Sequence, residues 1–197
     1  MLITRIRLRN WKNFKNAEAA LTGRSFLIGP NASGKSNFLD AFRFLRDVAV
    51  DGLSRALSET RGGVSSIRCL AATRYAKIDI EIEVSSPGDD TWVYRLVFKQ
   101  DTQKRPVVEE EVAKKNGEHV LVRPDTDDKA DPLRLTQTAL EQISRNHEFR
   151  PLADFLRSIT YQHLLPQVVR DPRGFSPLPV QNDPYGRDFL MRVWQTT

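Results

Sequence analysis

The chain has 197 residues, 40% hydrophobic and 28% charged, with a formal net charge of +5. That supplies a buried core for one domain with room for a subdomain, and it excludes a wholly disordered chain. No apolar run approaches the ~20 residues of a membrane span and the N-terminus lacks a secretory apolar block, so a soluble cytoplasmic protein with no membrane contact is expected; the single Cys69 excludes an internal disulfide and reads as a buried or half-buried bystander.

Met1 to Phe14 alternates as a strand, closing on Asn10-Trp11-Lys12-Asn13-Phe14. Ala17 to Leu21 reads as a second strand, turning at Thr22-Gly23 into the apolar run Ser25-Phe26-Leu27-Ile28, which is expected to be a buried parallel strand. Residues 1–50 hold nine Lys/Arg against three Asp/Glu. Arg5, Arg7 and Arg9, spaced by two, are read as the solvated face of an edge strand, because no aromatic residues are interleaved with them as a single-strand nucleic-acid binder requires.

A helix is expected from Ser36 to about Val50, with Phe38, Ala41, Phe42, Leu45 and Val48 on one face and Asp40, Arg43, Arg46 and Asp47 on the others. Ser54 to Ser66 reads as a helix fragment and loop. Ile78, Ile80, Ile82 and Val84 alternate with charges and, after Pro87-Gly88, Trp92, Tyr94, Leu96 and Phe98 do the same, predicting an antiparallel hairpin. A second hairpin joins Val107–Val112 to Val120–Val122 through Asn116-Gly117, a dipeptide suited to a type I′ turn. Pro124 to Pro132 is expected as a polar loop, Thr136–Arg145 and Pro151–Ser158 as helices, and Ile159–Leu164 as a strand closed by Pro166. Arg170 to Pro184 reads as a proline-rich connector and the remainder as a final helix. The fold class expected is α/β: a partial P-loop NTPase core with an antiparallel β-subdomain and a few helices. Its segments are 1–52, 53–132 and 133–197.

The chemistry is concentrated at Gly29-Pro30-Asn31-Ala32-Ser33-Gly34-Lys35-Ser36, which matches G-x-x-x-x-G-K-[ST] between a strand pattern and a helix pattern. Backbone N–H groups of such a loop curl around phosphate oxygens, and close approach requires residues with little side chain, such as Gly29, Ala32, Ser33 and Gly34. Lys35 carries the ammonium for the β- and γ-phosphates, Ser36 a hard hydroxyl ligand for Mg²⁺, and the helix start its positive dipole end. The ligands read from the loop are a nucleotide phosphate and Mg²⁺, with Asn37 following on the first helical turn. His119, His147 and His163 are scattered, and no metal-ligand spacing or acyl-transfer triad stands out.

The Asn-aromatic-Lys-x-Phe element, the hairpin after it and Gly-Pro-Asn-x-Ser-Gly-Lys-Ser-Asn with a Leu-Asp-Ala helix together resemble the ATPase heads of the SMC, RecF and OLD group. The segment Phe155 to Arg170, with Tyr161, Pro166 and Arg170, further resembles the RecF/OLD-like AAA-labelled ATPases of bacteria. The resemblance covers most of the chain, but only the P-loop is a specific signal. It implies an ABC-type β-subdomain, an ATP cycle closed by a second head in a homodimer, and Asn10, Trp11, Lys12 and Phe14 on the adenine side. Ordinary core packing of Trp11 and Phe14 is the competing reading. It also implies a glutamine ligand to Mg²⁺, for which Gln162 and Gln167 are the candidates by position. Relatives of this group act on DNA or carry an appended or partner nuclease.

The group's Leu-Ser-Gly-Gly signature and the Walker B Asp-Glu are absent from this sequence. Leu57–Gly63 lacks contiguous Ser-Gly-Gly, and Ile78-Asp79-Ile80-Glu81 belongs to an alternating strand. The chain is therefore expected to be the N-terminal lobe of a longer ATPase, slow or inactive alone. The alternative is a non-catalytic nucleotide-binding interaction module; a small kinase or GTPase is disfavoured, having neither Asn-Lys-x-Asp nor a compact parallel core.

Overall fold

Period-two alternation builds most of the architecture. The computed structural model describes residues 1–71, 77–88, 90–163, 167 and 170. Six strands, β1 (Leu2–Trp11), β2 (Phe14–Ala20), β3 (Ile78–Ser85), β4 (Thr91–Gln100), β5 (Pro106–Lys115) and β6 (Glu118–Arg123), form one antiparallel sheet in the order β2-β1-β3-β4-β5-β6. The N-terminal hairpin and the two later hairpins are thus continuous in one ladder, with Ile6 opposite Ile82 and Ile82 opposite Tyr94. Asn116 and Gly117 both have positive φ, 51° and 86°, the backbone a type I′ turn demands.

The two faces of the sheet differ in chemistry. The inner face carries Ile6, Leu8, Ile80, Ile82, Tyr94, Leu96 and Phe98, all buried. The outer face is an ion-pair ladder in which Arg5 bonds Glu18 and Glu83, Arg7 bonds Glu81, and Arg95 bonds both carboxylate oxygens of Asp79 and also Glu110. Arg5 and Arg7 are therefore neutralised by acids of their own sheet. Asp79 and Glu81, the misleading Walker B pair, serve in that ladder.

Helices α1 (Lys35–Asp51), α2 (Leu53–Arg61), α3 (Val64–Ile67) and α5 (Arg150–Arg157) lie on the inner face. Phe44 of α1 stacks on Phe98 with ring centroids 5.5 Å apart and packs at a tilt against Trp11 at 5.2 Å. The buried stripe of α1 includes Phe44, not the expected Phe42, and also Asp47. Asp47 is tolerated there because Arg61 and Arg46 bond its two oxygens, at 2.9 and 3.0 Å.

Several expected elements differ. Pro124–Pro132 is not all loop: Asp125 and Asp128 form a reciprocal capping box that starts α4 (Thr126–Ala130). Thr136–Arg145 is not a helix, because buried side chains take its backbone groups first. The Glu111 carboxylate accepts from the N–H groups of Ala139 and Leu140, Glu141 accepts from Thr138 N–H, and Asn146 Nδ2 donates to the Leu140 carbonyl. Glu111 also receives Tyr94 Oη–H at 2.8 Å and Arg123 at 2.9 Å, while Arg123 bonds Asp128 and the carbonyls of Arg134 and Gln137. This fully buried cluster organises the segment in place of helical periodicity.

The third difference is Ser25–Ile28. It forms no strand, and Phe26 and Ile28 are 80% and 94% exposed. An apolar run becomes a buried parallel strand only with ladder partners on its edges and layers on its faces, and among the described residues it has neither.

Residues 1–158 form one compact unit and 159–197 a second. In the second, residues 159–163 carry no strand, where the sequence pattern predicts one over Ile159–Leu164. The proline-rich connector and the final helix lie outside the described residues. Among the described residues, no helix is long and apolar enough to cross a membrane.

Candidate nucleotide-binding site

The loop at residues 29–34 joins an exposed extended run to the start of α1, and glycine is needed at its end. Gly34 has φ +100° and is buried, and a Cβ there would lie 2.3 Å from Asn13 Nδ2 and 2.9 Å from Phe14 Cζ. Ala32 also adopts positive φ, 61°, a conformation that costs an L-residue about 1 kcal/mol. Gly29 approaches Ser33 closely, with a Cβ position 3.0 Å from Ser33 Oγ. The chain therefore curls tightly around an interior lined by main chain.

That main chain is rich in uncommitted donors. Ser33 N–H reaches the Pro30 carbonyl at 3.3 Å, while the amides of Asn31, Ala32, Gly34, Lys35 and Ser36 have no acceptor among the described residues. The 17-residue α1 has no side-chain cap at Gly34 and no acidic residue in its first turn. The orphan N–H groups and the positive dipole end are thus left for an anion. Asn31, Ala32, Ser33 and Ser36 are exposed, as an incoming ligand requires.

Lys35 Nζ lies across the loop and donates to the carbonyls of Gly29 and Pro30 at 2.8 and 2.7 Å. Its ammonium therefore already sits at the loop mouth, held by neutral acceptors that a phosphate outcompetes through charge. The nearest acid on α1, Asp40, is occupied elsewhere: Lys12 bonds it at 2.7 Å and Arg61 bonds both its oxygens. Burial opposes ionisation of Asp40, but these two cations outweigh it and hold the carboxyl below its usual range.

The structure separates the residues expected beside adenine. Asn10 and Trp11 are buried: Asn10 receives Cys69 N–H on Oδ1 and donates to the Lys77 carbonyl, and Trp11 Nε1 donates to the Asn37 carbonyl at 2.8 Å. They are framework and present no face to a base, so for Trp11 the core reading is the one the structure shows. Lys12 and Phe14 keep partial exposure. Phe14 packs edge-on to Phe38 with centroids 6.4 Å apart. Asn37 turns its side chain to Asn13, Nδ2 donating to Oδ1 at 2.9 Å.

Asn13 has no phosphate-loop role readable from sequence, although it stands in the quoted element. The available signal was the pairing of a turn asparagine with a glycine that admits no Cβ. Gln162, in the second unit, is exposed and outside regular structure; Gln167 is also exposed.

The profile of a family described as "AAA domain, putative AbiEii toxin, Type IV TA system" matches residues 24–188, well over half of the chain. The chain belongs to this AAA-domain family. Its similarity to the DNA replication and repair protein RecF of Yersinia enterocolitica is 32% identity over 90 residues, covering 45% of this chain and 23% of that protein. The Erwinia tasmaniensis RecF is 45% identical over 42 residues, covering 21% of this chain and 12% of that protein. The chain thus spans about a quarter or less of the curated relatives it matches. Two solved structures of the recombination mediator RecF, one titled RecF-ATPrS and one RecF-ATP, align with TM-scores of 0.40 and 0.41. Their identities are 22% and 21%, and they cover 60% and 61% of this chain and 27% and 28% of theirs. The AAA-family member has mixed α/β structure with a six-stranded antiparallel sheet, and part of it is similar in sequence to RecF.

Proposed function

We propose that this chain is the ATP-binding lobe of a cytoplasmic ABC-type ATPase. The observation that carries the reading is a glycine-turned loop with unpaired amides, ending on an uncapped 17-residue helix, with Lys35 at its mouth. The amides of residues 31–36 bind the α- and β-phosphates, Lys35 exchanges two carbonyls for β- and γ-phosphate oxygens, and Gly29 and Gly34 leave room for that approach. The Ser36 hydroxyl, exposed at the helix start, is a hard oxygen of the kind Mg²⁺ accepts alongside phosphate oxygens. Bound there, the ion would neutralise phosphate charge. Lys12 and Phe14, half-buried in the hairpin turn, border the base.

Within the unit 1–158, residues 29–36 serve as the phosphate site, and the sheet to which segments 1–52 and 53–132 both contribute strands serves as the β-subdomain. Hydrolysis requires a carboxylate to orient water, and Asp79 and Glu81 are tied to Arg95 and Arg7 on the sheet's outer face. We therefore assign turnover to Walker B and signature elements outside this sequence and to a second head, in a homodimer that engages DNA or a nuclease. The same ion-paired carboxylates favour the second reading, a nucleotide-binding module without catalysis. Phosphate release by full-length dimer, but not by this chain, supports the first; none from either supports the second.

Titration calorimetry with MgATP tests the site. Replacing Lys35→Ala removes a charged hydrogen bond worth about 1.5–3 kcal/mol, an affinity loss of roughly 10- to 150-fold. Equal affinity in both proteins rejects the assignment of the loop.

A further inference from the structure

The hairpin turn between β1 and β2 grips the start of α1 at consecutive residues. Trp11 Nε1 donates to the Asn37 carbonyl at 2.8 Å, Lys12 Nζ reaches Asp40 at 2.7 Å, Asn13 Oδ1 accepts from Asn37 Nδ2 at 2.9 Å, and the Phe14 ring meets Phe38 at 6.4 Å. Asn13 is distinctive among them. Its amide lies directly over Gly34, where a Cβ would be 2.3 Å from Nδ2 and 2.9 Å from Oδ1. One side chain therefore touches the last residue of the loop and the third residue of α1, with Lys35 and Ser36 between them.

The turn is rigid enough to transmit position. Trp11 is fully buried against Phe44, and Asn10 and Lys12 hold positive φ, 57° and 50°. Asn10 fixes the neighbouring chain through Cys69 N–H and the Lys77 carbonyl. A strut anchored in the core and ending on Gly34 and Asn37 fixes the first turn of α1, and with it the directions of the Lys35 and Ser36 side chains.

We propose that Asn13 is a positioning residue for the phosphate site: through its bond to Asn37 and its contact with Gly34 it fixes the loop-to-helix junction in the geometry that grips a nucleotide triphosphate. The proposal rests on the phosphate-binding reading above. Removing either amide frees the same junction, so the two substitutions act as one.

The test is MgATP affinity by calorimetry for the wild type, Asn13→Ala, Asn37→Ala, the double variant and Lys35→Ala, with urea unfolding of each ligand-free protein. The expected result is a 5- to 20-fold affinity loss for either amide variant, no further loss in the double variant, and urea midpoints near the wild type. Losses that multiply in the double variant, or affinity equal to wild type in Asn13→Ala while Lys35→Ala binds weakly, overturn the role of Asn13 alone. Affinity loss that disappears when the variants are measured at a temperature where all are fully folded marks a merely structural role and also overturns it. Unchanged affinity in Lys35→Ala instead overturns the phosphate-loop reading itself.

Discussion

Single side chains decide where backbone polarity is satisfied in this protein, and Glu141 is the clearest case. Its two oxygens accept from Leu53 N–H at 2.7 Å and Thr138 N–H at 2.8 Å, and Gly52 leaves room for it, since a Cβ there would fall 2.1 Å from Oε2. Burial pushes the carboxyl up to about 7 against the pull of the two backbone donors. The folded state therefore holds this proton more tightly than the unfolded chain between pH 4.5 and 7, so the group's contribution to stability is full below about 4.5 and lost as pH rises through 7. Discounted for partial solvent access, the decline amounts to about 1–3 kcal/mol. Asp128 and Asp40 are shifted downward, so their stabilisation fades only below the ordinary aspartate range and leaves the upper window to Glu141. Urea midpoints between pH 5 and pH 8 should fall for the wild type and stay flat for Glu141→Gln. A flat wild-type profile contradicts the account.

At the scale of elements, α1 is both the floor of the proposed phosphate site and an apolar layer on the sheet. Phe44 joins these roles: it stacks on Phe98 and packs at a tilt against Trp11, and the Arg61 guanidinium lies 5.2 Å over its ring. Phe44→Ala should cost about 3–5 kcal/mol of unfolding free energy, read from chemical denaturation, because the cavity opens between helix and sheet. A loss below 1 kcal/mol would show that α1 is held by its polar clamps instead. Strands and α1 were legible because their patterns have clean periods of 2 and 3.6. Thr136–Arg145 was not, because whether its amides join a helix depends on Glu111 and Asn146, which no local pattern announces. Ser25–Ile28 misled for the complementary reason: its apolar composition is strand-like, but a strand exists only with neighbours.

At the scale of the whole molecule, the antiparallel sheet presents one apolar face to the helices and one ion-paired face to solvent, so its positive strand offers little unpaired charge. The phosphate loop was legible as a motif because its chemistry fixes residue types at fixed spacing. Its support from Asn13 was not, since it depends on the hairpin turn folding back onto Gly34. The proposed function thus concentrates where the N-terminal hairpin meets the start of α1. A crystal structure of the chain grown with Mg²⁺ and a non-hydrolysable ATP analogue tests this most directly. The account predicts the triphosphate along the amides of residues 31–36, with Lys35 Nζ moved from the carbonyls of Gly29 and Pro30 to the β- and γ-phosphates. An analogue bound elsewhere, with Lys35 still on those two carbonyls, would contradict it.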